Sequence, residues 1–212
     1  MVAVTAPLRA APQQHRSRAT LERIIEAADI EFATAGLARA STSAIAERAG
    51  VSIGTLYRFF DDKDAIAQAL VDRYQEEASE RYAPTLAPIT DGESMIEALR
   101  AVIAAAAEMQ LRHPGYYRIT VDHPPDVDGS PAADVRNVLI DTFDAAAVRA
   151  GSTQEPARRR AAISLCIETV RHTLARAPLA GEERDFVVGE LEGMIVAYGR
   201  NRLGLGGTSG LA

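Results

Sequence analysis

The sequence lacks several features that would point to particular classes of protein. Cys166 is the only cysteine among 212 residues, which excludes an intrachain disulfide and a zinc site built from several cysteines. Tryptophan is absent and aromatic residues make up only 5% of the chain, so a large stacked aromatic cage for a ligand is not expected. No apolar run reaches the roughly 20 residues of a membrane span, and no apolar stretch follows the N-terminal arginines as in a secretory signal. We therefore expect a cytoplasmic protein without a membrane segment.

Motifs for catalysis and cofactor binding are also missing. The sequence contains no His-Glu-x-x-His pair and no glycine-rich phosphate loop before a helix. Cys166 and His172 lie six residues apart on one predicted helix, not the three or four that would bring them together. The sequence therefore predicts that the protein is not an enzyme and uses neither a metal nor a cofactor.

The net charge of −6 is unevenly distributed along the chain. Residues 1–63 carry 8 Lys and Arg against 7 Asp and Glu, a net charge of +1, whereas residues 64–212 carry 15 against 22, a net charge of −7. The first 18 residues contain three arginines and no acid. If the protein binds a nucleic acid, the N-terminal part is therefore better suited to contact the phosphates than the acidic C-terminal part.

Most of the chain shows the three- and four-residue spacing of amphipathic helices, and no segment alternates as a half-buried strand would. In the first clear helix Leu21, Ile24, Ala28 and Phe32 form the apolar side, and Gly36 ends the helix. Its polar side carries Glu22, Arg23, Glu26 and Asp29. The sequence therefore predicts an all-α fold.

Composition divides the chain into three parts. Residues 1–17, rich in Ala, Pro, Gln and Arg and without a period, are predicted to form a flexible tail. Residues 18–63 are predicted to form a small three-helix domain, and residues 64–212 a larger helical domain. Prolines and glycines predict connections within the larger domain at about 84–92 and 122–131.

Residues 41–63 have the length, the capping residues and the turn residue of a helix-turn-helix. Hydroxyl side chains at 41–43 are suited to cap the second helix, Gly50 provides the backbone freedom of a tight turn, and Ser52 is suited to cap the third helix. Asp61 and Asp62 are suited to begin a fourth helix. The third helix is then the one expected to enter a DNA groove.

The start of the third helix carries residue types that suit DNA. Ser52 and Thr55 supply hydroxyls, and Gly54 removes the side chain that would hold the backbone away from phosphates. Tyr57 and Arg58 are long enough for phosphates or base edges, and helix N-terminal amides attract anions.

Each of these residues also has a structural explanation. Glycine inside a helix costs about 1 kcal/mol relative to alanine, so chance explains Gly54 less well than close approach of DNA. Tyr57 also suits a half-buried core position. Lys63, the only lysine, follows the aspartate caps and is predicted to contact a flanking phosphate. Arg16 and Arg18 fit either an arm that enters a minor groove or a solvated tail.

Residues 18–66 resemble the DNA-binding domain of the tetracycline-repressor (TetR) family. The resemblance rests on Ile25, Ala28, Phe32, Gly36, Thr42, Ile45, Ala46, Ala49-Gly50-Val51-Ser52, Gly54-Thr55-Leu56-Tyr57, Phe60 and Lys63. It covers about a quarter of the chain, and the full length suits the family's three-helix DNA-binding domain followed by a six-helix regulatory domain. The resemblance implies a homodimeric, ligand-responsive transcriptional repressor that leaves its operator when a small molecule enters the C-terminal domain.

The resemblance also implies which positions contact DNA. They are Thr42, Ser43, Ser52, Ile53, Gly54, Thr55, Tyr57, Arg58 and Lys63. Ile53 departs from the family pattern, because many members carry a basic or polar residue at that position.

The last two helices carry apolar stripes that suit a four-helix bundle formed with a second copy of the chain. The stripes are Ile163, Ile167, Val170 and Leu174 on one helix and Phe186, Val187, Leu191, Met194 and Ile195 on the other. Packing of these stripes within one chain is the alternative. A twofold dimer predicts a palindromic operator in double-stranded DNA.

A small-molecule effector of unknown identity is expected between the helices at about 93–176, in a mixed aliphatic pocket. Candidate contacts are Met109, Arg112, His113, Tyr116, Tyr117, Asp122, His123, Phe143, Cys166 and Thr169. The alternative function is a helical adaptor that binds only protein. That function would explain the apolar stripes but not the residues from Gly54 to Lys63.

Overall fold

The computed structural model describes residues 11–122, 132–178 and 180–205, and this part of the chain forms nine α-helices and no strand. The helices are α1 (Ala11–Ala35), α2 (Thr42–Arg48), α3 (Ile53–Leu56), α4 (Lys63–Leu86), α5 (Gly92–Arg112), α6 (Pro114–Asp122), α7 (Ala132–Arg149), α8 (Pro156–Arg176) and α9 (Glu182–Arg202). The predicted all-α fold is confirmed. Within the described ranges, no helix is both long and apolar enough to cross a membrane.

The first helix begins earlier than the sequence pattern predicts. α1 starts at Ala11, so residues 11–17 of the predicted flexible tail are helical. These residues include Ala, Gln and Arg, which favour helices, and Pro12 lies in the first turn, where its missing N–H removes no helical bond. Apolar periodicity could not reveal this extension, because residues 16–19 are exposed. The rest of the predicted tail, residues 1–10, lies outside the described residues.

The predicted side-chain caps are present at three helix starts. Ser41, Ser52 and Asp62 each accept a hydrogen bond from the backbone amide three residues later, at 3.1, 3.1 and 2.8 Å. Each cap satisfies an amide that has no partner within its own helix. The predicted break at 84–92 begins later than expected, because α4 continues through Pro84 to Leu86. Pro84 is exposed and lies in the last turn, where it removes only one helical bond.

The buried apolar side chains form two cores. The first lies between α1, α2, α3 and the start of α4, and contains the fully buried Phe32, Ile45 and Leu56. The second joins the rest of α4 to α5 through α9. Leu70 belongs to the first core and Val71 to the second, so the two cores meet within α4. We call residues 11–70 the head and the remaining described residues the body.

Much of the apolar stripe predicted for dimerisation is buried inside the chain. Ile163 and Leu174 on α8 and Leu191 and Ile195 on α9 are all less than 5% exposed. The alternative of packing within one chain is therefore correct for these four residues. Both helices carry apolar side chains on more than one face, and one of these faces packs on the body core.

Candidate nucleic-acid interface and ligand cavity

The turn between α2 and α3 fixes which side of α3 is buried. Gly50 has φ = +63°, a left-handed conformation that glycine adopts without strain. The amide of Val51 donates to the carbonyl of Ala46 at 3.0 Å and closes the end of α2. Leu56 is fully buried in the head core, so the opposite side of α3 is left in solvent.

The residues on that opposite side include most of those predicted to contact DNA. Ser43, Ser52, Ile53, Gly54, Tyr57 and Arg58 are exposed, and Thr42 and Thr55 are partly exposed. We call these eight residues the α3 face. Tyr57 is 51% exposed, so it is not the half-buried core residue of the alternative interpretation. Its hydroxyl lies 3.1 Å from the Thr42 hydroxyl, which joins the start of α2 to α3.

Gly54 has no packing role among the residues that the structure describes. A Cβ built at this position would have only the Ser52 hydroxyl oxygen near it, at 4.0 Å. The backbone of Gly54 is also outside the left-handed region, so an alanine would fit without strain. A glycine at this position therefore does not stabilise the head.

Lys63 makes contacts that the sequence did not predict. Its ammonium donates to the carbonyls of Leu37 and Ala38 at 2.9 and 3.0 Å. These carbonyls follow the end of α1, so Lys63 ties the α1–α2 connection to the start of α4. Two of its three N–H donors are used in this way. Contact between Lys63 and a DNA phosphate stays a prediction, and it would depend on the third donor.

The body contains a cavity of about 100 Å³ that is lined by residues from each of the helices α4 to α9. Its wall is mainly apolar and includes Leu99, Val102, Phe143, Ile163 and Ile167. Pockets for drug-sized ligands usually have volumes of about 300–1,000 Å³. A ligand of that size would have to displace side chains of the wall.

Four of the six tyrosines meet beside this cavity: Tyr74, Tyr82, Tyr116 and Tyr117. The rings of Tyr74 and Tyr116 are stacked with centroids 3.5 Å apart, and Tyr117 meets both edge-on. The hydroxyls of Tyr74 and Tyr117 lie 2.9 Å apart. Burial raises the pKa of Tyr74, Tyr116 and Tyr117, so their hydroxyls stay protonated and able to donate. The low overall aromatic content argued against stacked aromatic residues around a ligand, and it was misleading because four tyrosines are concentrated here.

The structure brings only some of the predicted ligand residues to the cavity. Tyr116, Tyr117, Phe143 and Cys166 line it. Met109, Arg112, His113 and Thr169 do not line it, and Arg112 and His113 belong to the ionic cluster described below. The side chain of Asp122 and the whole of His123 lie outside the described residues.

Several charged residues of the cavity wall were missed by sequence reasoning. Arg171 donates to the carbonyl of Thr120 and to the carboxylate of Glu168. Arg136 lies on the other side of Glu168, with its Nε 3.1 Å from a carboxylate oxygen. One signal was available in the sequence: Arg171 follows Ile167 by four residues and therefore lies within an apolar stripe of α8.

Cys166 is a partly buried thiol without an activating partner in the described contacts. Burial raises its pKa to about 11, so the thiol stays protonated near neutral pH. His172 Nδ1 lies 2.9 Å from the carbonyl oxygen of Glu168. This arrangement gives no nucleophile–base pair.

A buried aspartate joins the head to the body. Asp29 Oδ1 accepts hydrogen bonds from the amides of Gly115 and Tyr116, at 2.7 and 3.3 Å. These amides begin α6, so a residue of α1 caps another helix. A Cβ at position 115 would overlap the carbonyl and carboxylate of Asp29, which explains the glycine. The sequence pattern places Asp29 on the polar side of α1, yet Asp29 is only 6% exposed because the start of α6 covers it.

His113 completes this contact between head and body, and we call Asp29, Glu77, His113 and the amides of Gly115 and Tyr116 the junction. Its Nε2 lies 2.7 Å from a Glu77 oxygen, and its Nδ1 lies 3.6 Å from Asp29 Oδ2. Burial alone would lower the pKa of His113, but hydrogen bonds and charges from Asp29 and Glu77 outweigh burial and raise it. Burial would likewise raise the pKa of Glu77, but His113, Arg112 and Arg81 lower it. The junction therefore favours a histidinium between two carboxylates.

Two family models match separate parts of the chain. The model described as bacterial regulatory proteins, tetR family, matches residues 24–70. The model described as tetracyclin repressor-like, C-terminal domain, matches residues 94–198. The first segment spans most of the head and the second spans α5 to α9 almost completely.

Solved structures and curated proteins give consistent similarities. A TetR-family transcriptional regulator from Streptomyces coelicolor is 27% identical, with a TM-score of 0.62, over 87% of this chain and 99% of that chain. FadR from Bacillus subtilis, solved with stearoyl-CoA, has the same fold with a TM-score of 0.65 and 17% identity over 87% and 99% of the two chains. The transcriptional regulator TtgR of Pseudomonas putida is 40% identical over 63 residues, 30% of each chain. The matched part thus spans less than half the length of the curated relatives, 44% in the case of UidR from Escherichia coli.

Proposed function

The chain belongs to the TetR family of DNA-binding transcriptional regulators, and we propose from this premise that it is a homodimeric repressor released from a palindromic operator by a small molecule. The family is one of regulators, and we propose that this member likewise performs no catalysis. A protein that binds genomic DNA acts where the DNA is, so the proposed location is the cytoplasm.

The observation that carries the DNA-binding proposal is the α3 face. Its members are serine and threonine hydroxyls, a tyrosine, an arginine, an isoleucine and an unobstructed glycine, and all are at least partly exposed. Leu56 anchors the other side of α3 in the head core, so the face is held on a rigid support. An adaptor that binds only protein would leave Gly54 without a role.

Exposed apolar residues on α8 and α9 support the dimer. Leu165, Phe186 and Met194 are 54%, 68% and 51% exposed, although side chains of this type favour burial. Gly189 and Gly193 lie on the same exposed side of α9, and a Cβ at either would meet nothing within 4 Å. Two copies of α8 and α9 would cover these residues in a four-helix bundle.

The cavity and the junction support the proposal that a ligand controls DNA binding. Tyr74 on α4 and Tyr116 on α6 stack beside the cavity, and both helices also contact the head. Because the cavity is small, a ligand with an apolar body would have to separate these helices to enter. We propose that this movement shifts the two heads relative to each other, so that they no longer fit both half-sites. FadR, which has the same fold, was solved with stearoyl-CoA.

The proposal is tested by selection of bound sequences from a random duplex pool at two salt concentrations. We expect a palindromic consensus, bound more weakly at the higher salt because phosphate contacts release counterions. The double variant Tyr57→Ala with Arg58→Ala is the matched control, since both residues are exposed and their loss should leave the fold intact. Failure to enrich any sequence at either salt, or equal enrichment by the double variant, would reject the proposal.

Gly54→Ala separates DNA binding from folding. Because an added Cβ meets no crowded neighbour, the free energy of unfolding should stay unchanged or rise by up to about 1 kcal/mol. Operator affinity should fall, because the methyl group would hold α3 away from the DNA. Denaturant unfolding and fluorescence anisotropy measure the two quantities. Unchanged affinity together with raised stability would remove the assigned role of Gly54.

A further inference from the structure

The first turn of α3 exposes an apolar side chain and no charged one. From Ser52 to Tyr57 the sequence is Ser-Ile-Gly-Thr-Leu-Tyr, and Arg58 is the first cation. Ile53 is 41% exposed, although isoleucine is among the residues most often buried. Its neighbour Gly54 contributes no side chain that would keep Ile53 from a surface in contact with α3.

The hydroxyls around Ile53 already have partners within the head. Ser52 Oγ accepts a hydrogen bond from the Thr55 amide and lies 2.8 Å from the Thr55 hydroxyl. Tyr57 and Thr42 are bonded to each other at 3.1 Å. Each of these hydroxyls can still make a further hydrogen bond, and Ile53 adds an exposed hydrocarbon surface that the first turn of α3 offers to a base.

An apolar side chain in the major groove discriminates between bases. Guanine, adenine and cytosine present polar groups there, and an isoleucine against those groups would remove water without replacing its hydrogen bonds. Thymine presents a 5-methyl group at the groove edge, which gains from apolar contact. An exposed isoleucine on the helix that enters the groove thus favours thymine.

We propose that Ile53 recognises thymine through its 5-methyl group, so that each half-site contains a thymine at the position facing Ile53. The inference rests on the proposed function, because it requires an operator read by α3. Twofold symmetry places the same contact in both half-sites.

The test uses the duplex selected by the protein, with each thymine of the half-site replaced in turn by deoxyuridine in both half-sites. Deoxyuridine keeps every hydrogen-bonding group of thymine and lacks only the methyl. One position should show a loss of about fourfold per half-site, about 16-fold in total, which is the effect of one buried methyl group on each side. Cytosine at that position should bind weakly, and 5-methylcytosine should recover part of the affinity.

The variant Ile53→Ala tests whether Ile53 is the residue that contacts the thymine methyl group. It should bind the thymine duplex more weakly than the natural protein and should no longer distinguish thymine from deoxyuridine. Val148→Ala is the matched control, because Val148 is a similarly exposed aliphatic residue on α7, at 53%. It should retain the full discrimination.

The outcomes separate the inference from the proposed function. A selected palindrome that tolerates deoxyuridine at every position, or equal discrimination by Ile53→Ala, would overturn the role of Ile53 and leave the repressor proposal in place. Failure to select any duplex would overturn both.

Discussion

Gly193→Arg is expected to convert the proposed dimer into monomers and to lower operator affinity by a factor on the order of 10²–10⁴, the usual gain from linking two binding sites. Gly193 lies on the exposed side of α9 together with Gly189, Phe186 and Met194. In a twofold bundle this side of α9 would meet its own copy, so each protomer would introduce a bulky cation into the same interface.

The substitution should leave the protomer itself intact. A Cβ added at 193 meets nothing within 4 Å among the described residues, and replacing a helical glycine favours the helix. Analytical ultracentrifugation measures the oligomeric state, circular dichroism the helix content and anisotropy the operator affinity. Val148→Arg adds the same charge at an exposed site on α7 and serves as the control. A Gly193→Arg protein that remains dimeric and keeps its operator affinity would exclude α9 from the interface.

Features set by neighbouring residues could be predicted from the sequence. The caps at Ser41, Ser52 and Asp62 depend on a side chain and an amide three residues away, so the pattern is complete within one turn. The left-handed turn at Gly50 is similarly local. These signals, with the apolar spacing of the helices, were enough to predict the all-α fold and the exposed face of α3.

Features that depend on contacts between distant helices could not be predicted in the same way. Tyr74 and Tyr82 follow the ordinary core spacing of α4, and nothing local indicates that they meet Tyr116 and Tyr117 from α6. Asp29 belongs to the polar pattern of α1 and is buried only because α6 begins against it.

Lys63 and the apolar stripes of α8 and α9 show the same limitation. A lysine that follows a helix cap suggests a free cation, but its acceptors lie 25 and 26 residues earlier in the chain. An apolar stripe shows that a surface will be covered, but it does not show whether the cover comes from the same chain or from a second copy. In the structure Ile163 is buried by its own chain and Phe186 is exposed, and the stripe pattern alone does not contain this distinction.

Asp29→Ala is expected to lower the free energy of unfolding by about 3–5 kcal/mol, the usual cost of removing one partner from a buried charged cluster. The amides of Gly115 and Tyr116 would lose their acceptor, and His113 would lose one of its two carboxylates. Asp29→Asn retains an acceptor oxygen without the charge, so its loss should be smaller, about 1–2 kcal/mol. Glu26→Ala removes an exposed acid from the same helix and should change stability by no more than about 0.5 kcal/mol.

Hydrogen exchange locates the effect at the junction between head and body. In Asp29→Ala the amides of Gly115 and Tyr116 should exchange faster, while those of the α5 interior keep their protection. Operator affinity should also fall, because α1 would no longer be held against α6 and the heads would lose their fixed separation. A variant with unchanged stability and unchanged protection at Gly115 would mean that Asp29 does not connect the two parts.

The same junction predicts a pH dependence with a definite sign. The pKa of His113 is raised above its ordinary value of 6.5, so its contribution to stability is complete below about pH 6.5 and is lost as the pH rises through the raised pKa. The pKa of Glu77 is lowered from 4.5, so its contribution is present above about pH 4.5 and is lost as the pH falls through the lowered pKa. The charged groups around His113 are Asp29 and Glu77, with Arg112 and Arg81 beside Glu77.

The junction should therefore be most stable between about pH 4.5 and 6.5 and should weaken at higher pH. His113→Gln should remove the decline above pH 6.5, because glutamine does not titrate. Denaturant unfolding at several pH values measures the slope in both proteins. A slope equal in the variant and the natural protein would assign the pH dependence to other groups. Since His113 contacts carboxylates from α1 and α4, the measurement also reports how firmly the head is held to the body that contains the cavity.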